Sequence, residues 1–170
     1  AIIEVGLNEA VTRTSHRHVP NDPLECADDA LRCADAGAAV VHWHAVDSDG
    51  QQRLGDAALY GQALDGMRSA VLAYPSYPID VPDTVGDRLA HCLELRDRYG
   101  LEIGPIDLAS VNVVVTDGAG RAVAPLTPAP EYEVIRNSLP FVAEALDRYR
   151  KVGLVPTLGS FDVGSTRLVG

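Results

Sequence analysis

The segment Ala38-Ala39-Val40-Val41-His42-Trp43-His44 decides the fold class of this chain. Four successive apolar residues predict a buried β-strand, and the strand leads into a His-x-His pair. Side chains at i and i+2 lie on the same side of a strand, so His42 and His44 should converge while Trp43 points the opposite way. Two converging imidazoles are half of a zinc site, because a catalytic zinc usually takes three protein ligands and keeps one open position. A hydrogen-bonded histidine pair without a metal is the alternative.

Strand and helix patterns alternate outward from this segment. We predict strands over residues 2–7, 38–44, 71–76, 108–115 and 154–161. The first helix should start at Asp22-Pro23-Leu24-Glu25, where Asp22 can cap and Glu25 can reach back, and it should stop at Gly37. Two further helices are predicted over residues 56–70 and 83–99, and a fourth should end at about Val152. A Gly- and Pro-rich stretch over residues 117–130 separates the fourth strand from the fourth helix.

This alternation predicts an α/β protein with a parallel sheet covered by helices. An open doubly wound sheet and a (β/α)8 TIM barrel both satisfy it. Polar pairs recur at strand ends, with Ser110 and Asn112 on the fourth strand and Ser160 and Asp162 around the fifth, and in a barrel such positions line the active site. We therefore predict a TIM barrel of which residues 1–170, as a single domain, supply about the first five strands.

The composition limits the classes of partner. The chain has 14 basic and 24 acidic residues, a net charge of −10, and Lys151 as its only lysine. Without a basic patch to neutralise phosphates, nucleic acid and anionic membranes are unfavourable partners. No stretch approaches the ~20 apolar residues of a membrane span, so we expect a soluble cytoplasmic protein. Three cysteines without a CxxC pair indicate small buried side chains in a reducing compartment.

Polar residues after the predicted strands are the remaining candidates for a site. Asn8 and Glu9 follow the first strand, and we predict that Asn8 binds substrate and that Glu9 is catalytic as a proton acceptor. Glu9, Glu4 and Asp162 are also the candidates in this chain for a third metal ligand. Ser76, after the third strand, could hydrogen-bond a substrate carboxylate or carbonyl. Loop capping is the alternative for Glu9, and a rigid turn for Ser76.

A second His-x-His pair, His16 and His18, has no strand before it and is interpreted as loop packing or a lid. The sequence contains no G-x-S-x-G elbow, P-loop or HExxH motif, so covalent serine catalysis is unsupported.

Five stretches of the chain form a recognisable pattern in order: Val5-Gly6-Leu7-Asn8-Glu9-Ala10-Val11-Thr12-Arg13, His18-Val19-Pro20, Ala36-Gly37-Ala38, Val41-His42-Trp43-His44 with the turn Asp47-Ser48-Asp49-Gly50, and Ala109-Ser110-Val111-Asn112. Together they resemble the β-keto acid cleavage enzymes, a bacterial family. The resemblance covers nearly the whole chain, and its AGA…HxH segment with the acidic turn is the most specific part.

The resemblance implies a zinc-dependent acyltransferase on a (β/α)8 barrel, which condenses a β-keto acid with acetyl-CoA to give acetoacetate and a new acyl-CoA. His42 and His44 match two zinc ligands of the family. Ser76 and Ser110 match hydroxyl residues that hold the keto acid, and Asn112 matches an asparagine beside them. The resemblance also implies Zn²⁺ as cofactor and a homo-oligomer. Zinc would polarise the keto oxygen as a Lewis acid.

The sequence departs from the family pattern at Val11, where members often have a glutamate that Glu9 could replace, and at Thr157 and Gly159, where acidic residues are usual. The resemblance places the third zinc ligand, a glutamate, and a catalytic arginine and aspartate on later strands. We therefore expect this chain to be the first part of a longer barrel. Two alternatives stay open: another zinc-dependent lyase or hydrolase on a TIM barrel, and a catalytically degenerate metal-binding module.

Overall fold

Strands and helices alternate along the chain in a computed structural model, which describes residues 1–9, 11–13, 16–78, 81–112 and 134–169. The elements are, in order, β1 (Glu4–Gly6), α1 (Pro23–Asp35), β2 (Val40–Trp43), α2 (Ala57–Met67), β3 (Leu72–Pro75), α3 (Val85–Tyr99), β4 (Ile103–Asp107), β5 (Val111–Asn112), β6 (Val134–Ile135), α4 (Leu139–Val152), β7 (Val155–Gly159) and α5 (Val163–Thr166). The α/β class predicted from the sequence is confirmed.

Parallel strands bring the ends of distant segments together. β1, β2 and β3 form one hydrogen-bonded sheet in that order, and β4 pairs with β7. The register places Gly6 beside His42 and His42 beside Tyr74. In the second pair Asp107 lies opposite Gly159. These residues stand at the carboxyl ends of their strands, where the candidate site is built.

The two parallel groups meet where β3, from the first group, lies next to β4, from the second. They lie side by side, but no hydrogen-bonded ladder joins these two strands. Pro75 in β3 and Pro105 in β4 have no N–H to donate, and each therefore removes one potential ladder bond. The order β1, β2, β3, β4, β7 follows the chain, as a barrel requires. The closed eight-stranded barrel and the single-domain organisation stay predictions.

The helices begin and end where local chemistry directs them. Asp22 caps α1 by accepting hydrogen bonds from Leu24 N and Glu25 N, both at 2.9 Å, and Pro23 occupies the first turn. Glu25 reaches back as predicted, but its carboxylate accepts from Asn21 N at 2.8 Å rather than from the cap residue. α3 and α4 also begin after a polar N-cap residue, and they end at Gly100 and Gly153, both in the left-handed conformation.

The hydrophobic core lies between the helices and the strands. Trp43 is fully buried and meets the ring of Tyr60 edge-on, with ring centroids 5.3 Å apart. Met67, Leu89 and Tyr149, from three different helices, are also fully buried. Because Trp43 is fixed on the core side of β2, His42 and His44 on either side of it are directed away from the core.

The fourth strand was predicted at the wrong place. The parallel strand is β4, residues 103–107, whereas Val111 and Asn112 form β5, which pairs antiparallel with β6. Gly104 and Pro105 disguise β4, because such residues usually mark a turn. Gly104 is needed there since a Cβ would lie 3.0 Å from side-chain atoms of both Leu154 and Tyr149. Residues 113–115 of the predicted strand and the stretch over 117–130 lie outside the described residues.

The lengths of the helices and the state of the thiols bear on two expectations from the sequence, those about a membrane span and about the cysteines. Within the described ranges, no helix has the length and apolar character needed to cross a bilayer. Cys26 and Cys92 are buried and Cys33 is partly buried, and all three are free thiols. The cytoplasmic location stays a prediction.

Candidate functional site

A cavity of about 510 Å³ opens at the carboxyl ends of β1, β2, β3, β4 and β7. The residues that line it come from these strands or from the segments that follow them: Glu4, Glu9, His42, His44, Tyr74, Ser76, Tyr77, Pro105, Asp107, Thr157, Leu158, Gly159 and Phe161. Among the residues that the structure describes, this lining combines three carboxyl groups, two imidazoles and three aromatic rings, without a lysine or arginine.

The two imidazoles predicted to converge do so. The ring centroids of His42 and His44 are 5.3 Å apart and the rings are nearly perpendicular, at 81°. His42 Nδ1 is 3.3 Å from the backbone oxygen of Tyr74, and His44 Nδ1 is 2.9 Å from Gln52 Oε1. Both partners are acceptors, so each Nδ1 carries the proton and each Nε2 keeps a free lone pair. Fixing the tautomer in this way is how proteins orient histidine ligands of a metal.

Burial sets the charge state of this pair. It lowers the pKa of both imidazoles below the usual value, and it outweighs the carboxylate of Glu9, which raises the pKa of each ring. Both rings are therefore neutral near pH 7. Neutral imidazole is the form that binds a metal ion.

Glu9 adds a carboxylate to the pair. Its Oε2 lies 3.7 Å from His42 Nε2 and 3.8 Å from His44 Nε2. Glu9 has a positive backbone angle φ of 42°, which is unusual for a residue other than glycine or asparagine. Its side chain lies over Gly6, where a Cβ would overlap the carboxylate. The absence of a side chain at Gly6 thus makes room for the third polar group.

The three side chains fit a divalent metal ion. One ligand atom from each of Glu9, His42 and His44 lies within 4.8 Å of the other two, and no other such group of three or more occurs in the described part of the chain. Ligands about 2.0–2.2 Å from a tetrahedral zinc lie about 3.4 Å from one another, close to the His–Glu separations seen here. Two imidazole nitrogens and one carboxylate oxygen are also donors that zinc accepts.

Asn8 holds His44 in place. The Asn8 side chain donates from Nδ2 to His44 O and accepts from His44 N at Oδ1, both at 2.8 Å, and it is buried. Both polar ends of the amide are therefore occupied by the backbone of a metal-ligand candidate. The structure makes Asn8 a positioning residue, and its predicted contact with substrate stays a prediction.

The three other predicted substrate-binding residues differ in whether they line the cavity. Ser76 lines the cavity and is buried. Ser110 is exposed and accepts a hydrogen bond from Asn137 N at 2.9 Å, and Asn112 is exposed on β5. Neither Ser110 nor Asn112 lines this cavity. Their predicted role had assumed that they lie on the same strand end as the cavity, and β4 ends before both of them.

Four further candidates have other partners. Glu4 lines the cavity, but its carboxylate accepts a hydrogen bond from the hydroxyl of Tyr74. Asp162 caps α5 by accepting from Ser165 N at 2.8 Å. His16 and His18 are 5.7 Å apart by ring centroid, and neither lines the cavity. Glu9 is thus the in-chain candidate that lies against the imidazole pair.

Sequence reasoning missed Asp107, the last residue of β4. Its carboxyl group lines the cavity, and burial raises its pKa to about 6 in spite of the opposing effect of the Arg88 guanidinium. A correct position for β4 would have shown an acidic residue at a strand end. It also missed Tyr74, whose ring stacks on His42 at 4.7 Å between centroids.

Fold and site together define an α/β protein with a candidate metal centre at the ends of its parallel strands. Residues 1–170 match the family model described as beta-keto acid cleavage enzyme. The chain belongs to the β-keto acid cleavage enzyme family, which confirms the resemblance drawn from the sequence.

The chain is similar to two longer proteins. It is 25% identical over 181 residues to a 3-dehydrocarnitine:acetyl-CoA trimethylamine transferase from Rhizobium meliloti (strain 1021), with 94% of this chain and 53% of the relative covered. The chain therefore spans about half the length of that curated relative. The apo structure of ObcA superposes with a TM-score of 0.61 at 20% identity, over 88% of this chain and 32% of that chain.

Proposed function

We propose that this chain belongs to a zinc-dependent β-keto acid cleavage enzyme, an acyltransferase that converts a β-keto acid and acetyl-CoA into acetoacetate and a new acyl-CoA. The observation that carries the proposal is the Glu9, His42 and His44 group beside a cavity in a member of this family. The relative named above is by name a transferase that uses acetyl-CoA. We also propose that the chain-ordered strands belong to a (β/α)8 barrel and that the protein is a cytoplasmic homo-oligomer.

The reaction exchanges acyl groups on one carbon. The carbon between the keto and carboxylate groups gives up a proton, forms a bond to the acetyl carbonyl carbon, and displaces the CoA thiolate. The thiolate then forms a thioester with the original keto carbon, the bond between that carbon and its neighbour breaks, and the proton returns. No net oxidation occurs. A zinc ion held in the site would supply Lewis-acid polarisation of the keto oxygen.

The described residues have distinct parts in this proposal. His42 and His44 offer Nε2 lone pairs, and Glu9 offers a carboxylate that faces both rings, so we assign it to metal contact first and to proton transfer second. Asn8 fixes the backbone of His44. The hydroxyl of Ser76 is available at the cavity wall for a substrate oxygen. Ser110 and Asn112 are retained as substrate-binding candidates on the basis of the family resemblance alone.

An isotope experiment tests the reaction. The zinc-loaded full-length protein that contains residues 1–170 is incubated with a β-keto acid and acetyl-CoA labelled with ¹³C in the acetyl group, and the products are followed by mass spectrometry. The proposal requires the label in acetoacetate and none in the new acyl-CoA. His42→Ala should abolish both products, whereas His16→Ala, outside the cavity, should not.

Two outcomes would contradict the proposal. Keto acid consumption that proceeds without acetyl-CoA would indicate a lyase or hydrolase. Bound zinc without any acyl transfer would indicate a degenerate metal-binding module.

A further inference from the structure

The acidic turn after β2, Asp47-Ser48-Asp49-Gly50, lies outside the cavity lining. Asp47 Oδ1 accepts hydrogen bonds from the backbone N–H groups of Asp49 and Gln51, both at 2.9 Å. Asp47 Oδ2 accepts a hydrogen bond from Arg53 Nε at 2.8 Å. A carboxylate that accepts hydrogen bonds from the backbone in this way stabilises a turn. The carboxylate of Asp47 therefore shapes the turn from within.

The turn returns the chain along the end of β2. Val46 pairs antiparallel with Gln52. The next residue, Arg53, donates from its backbone N–H to the backbone oxygen of Ala45 at 2.9 Å. This short hairpin places the partly buried side chain of Gln52 beside His44, which precedes it by eight residues.

The side-chain amide of Gln52 contacts two of the three candidate metal ligands. Its Oε1 lies 2.9 Å from His44 Nδ1, and its Nε2 donates to the backbone oxygen of Glu9. A carbonyl oxygen can only accept a hydrogen bond, so the contact with Glu9 fixes which end of the amide is the NH₂ group. The other end, Oε1, must then accept from His44 Nδ1. This contact keeps the proton of the ring on Nδ1 and the lone pair on Nε2.

The same amide holds the backbone of Glu9. A positive φ such as the 42° of Glu9 persists only where neighbouring groups hold it. Gln52 is separated from Glu9 by 43 positions in the sequence, so their hydrogen bond joins the segments that follow β1 and β2. From this backbone position the carboxylate of Glu9 reaches to 3.8 Å from His44 Nε2. One side chain thus contacts both members of this ligand pair.

We propose that Gln52 is a positioning residue of the candidate metal centre. It keeps the proton of His44 on Nδ1 and holds the backbone of Glu9, so that the imidazole lone pair and the carboxylate face the same point. The acidic turn serves to bring Gln52 to this place. This inference rests on the proposed function, because it takes Glu9, His42 and His44 as the metal ligands.

NMR of the metal-free protein reads the tautomer directly. The full-length protein that contains residues 1–170 carries ¹⁵N in its imidazole rings, and the signals of His42 and His44 are assigned by their loss in His42→Gln and His44→Gln. At a pH where both rings are neutral, both should carry the proton on Nδ1 in the wild type. Gln52→Leu removes both hydrogen bonds of the amide and should give a mixture of tautomers at His44. His42 should not change, since its Nδ1 faces the backbone oxygen of Tyr74.

A conservative variant separates this role from general packing. The carboxylate of Gln52→Glu can still accept from His44 Nδ1, so it should keep the proton there. If Gln52→Leu does not fold, Gln52→Ser takes its place, because a serine side chain is too short to reach either partner. An unchanged His42 signal in each variant shows that the site has kept its fold.

Zinc affinity, measured by competition with a chelator, is the second readout. Gln52→Leu should bind zinc about 10- to 100-fold more weakly than the wild type. Gln51→Leu, the same change at the exposed neighbouring residue, should bind zinc as tightly as the wild type. A single Nδ1-protonated form of His44 in Gln52→Leu, or an unchanged zinc affinity, would overturn the inference. A wild type that binds no zinc would overturn the proposed function instead, and the tautomer of the metal-free protein would still decide the role of Gln52.

Discussion

Replacing Gly6 by alanine tests the metal centre without altering any ligand. The three heavy atoms closest to a Cβ at this position all belong to Glu9, with Cδ at 3.1 Å, Cγ at 3.3 Å and Oε1 in overlap. The carboxyl group must therefore move from its place 3.7 Å from His42 Nε2 and 3.8 Å from His44 Nε2. Misplacing a group that supports a metal site typically costs 10- to 100-fold in affinity, or about 1.4–2.7 kcal/mol.

The same substitution should increase the stability of the metal-free fold while it weakens metal binding. Gly6 lies within β1, and alanine in a strand is more favourable than glycine by about 0.5–1 kcal/mol because it restricts the unfolded chain. We expect weaker zinc binding, measured by competition with a chromophoric chelator, together with an unchanged or higher Tm of the apoprotein. Gly55→Ala is the matched control, since a Cβ there would meet nothing within 4 Å. A zinc affinity in Gly6→Ala equal to that of the wild type would show that the position of the Glu9 carboxylate does not matter for metal binding.

Three further predictions follow from the site. Asn8→Ala leaves the buried N–H and C=O of His44 unpaired and should lower the free energy of unfolding by about 2 kcal/mol or more, as urea denaturation would show; a loss within experimental error would contradict the positioning role. Burial raises the pKa of Asp107 to about 6 in the folded state, above its unfolded value of about 3.9, so the folded state binds the proton more tightly and stability falls as pH rises through this window. Asp107→Asn should therefore be more stable than the metal-free wild type at pH 7, by up to about 3 kcal/mol, and should lose this advantage near pH 4; an equal gain at both pH values would exclude the charge as the cause. Because burial lowers the pKa of His42 and His44, zinc should stay bound in equilibrium dialysis below pH 6.5 and leave only at lower pH; half-release above pH 6.5 would be inconsistent with these shifts.

Local rules account for the features that the sequence predicted correctly. The two-residue period of a strand is enough to place Trp43 in the core and His42 and His44 on the other side. The start of α1 follows from Asp22 and Pro23, which act on their immediate neighbours. Neither inference needs knowledge of where the rest of the chain lies.

The features that were missed depend on contacts between distant segments. Gly104 and Pro105 are turn residues by local preference, but packing against Leu154 and Tyr149 selects a strand there. The approach of Glu9 to the imidazoles requires both its positive φ and the missing side chain of Gly6. Asp107 was overlooked for the same reason, because the predicted fourth strand began one residue after it. These details follow from the tertiary structure rather than from the local pattern.

Anomalous diffraction at the zinc absorption edge, from crystals of the zinc-loaded protein, would locate the metal ion relative to the two imidazoles. We expect one strong peak at about 2.0–2.2 Å from His42 Nε2, from His44 Nε2 and from the nearer carboxylate oxygen of Glu9. A cavity with no peak between the two imidazoles, while zinc is bound elsewhere on the protein or not at all, would contradict it.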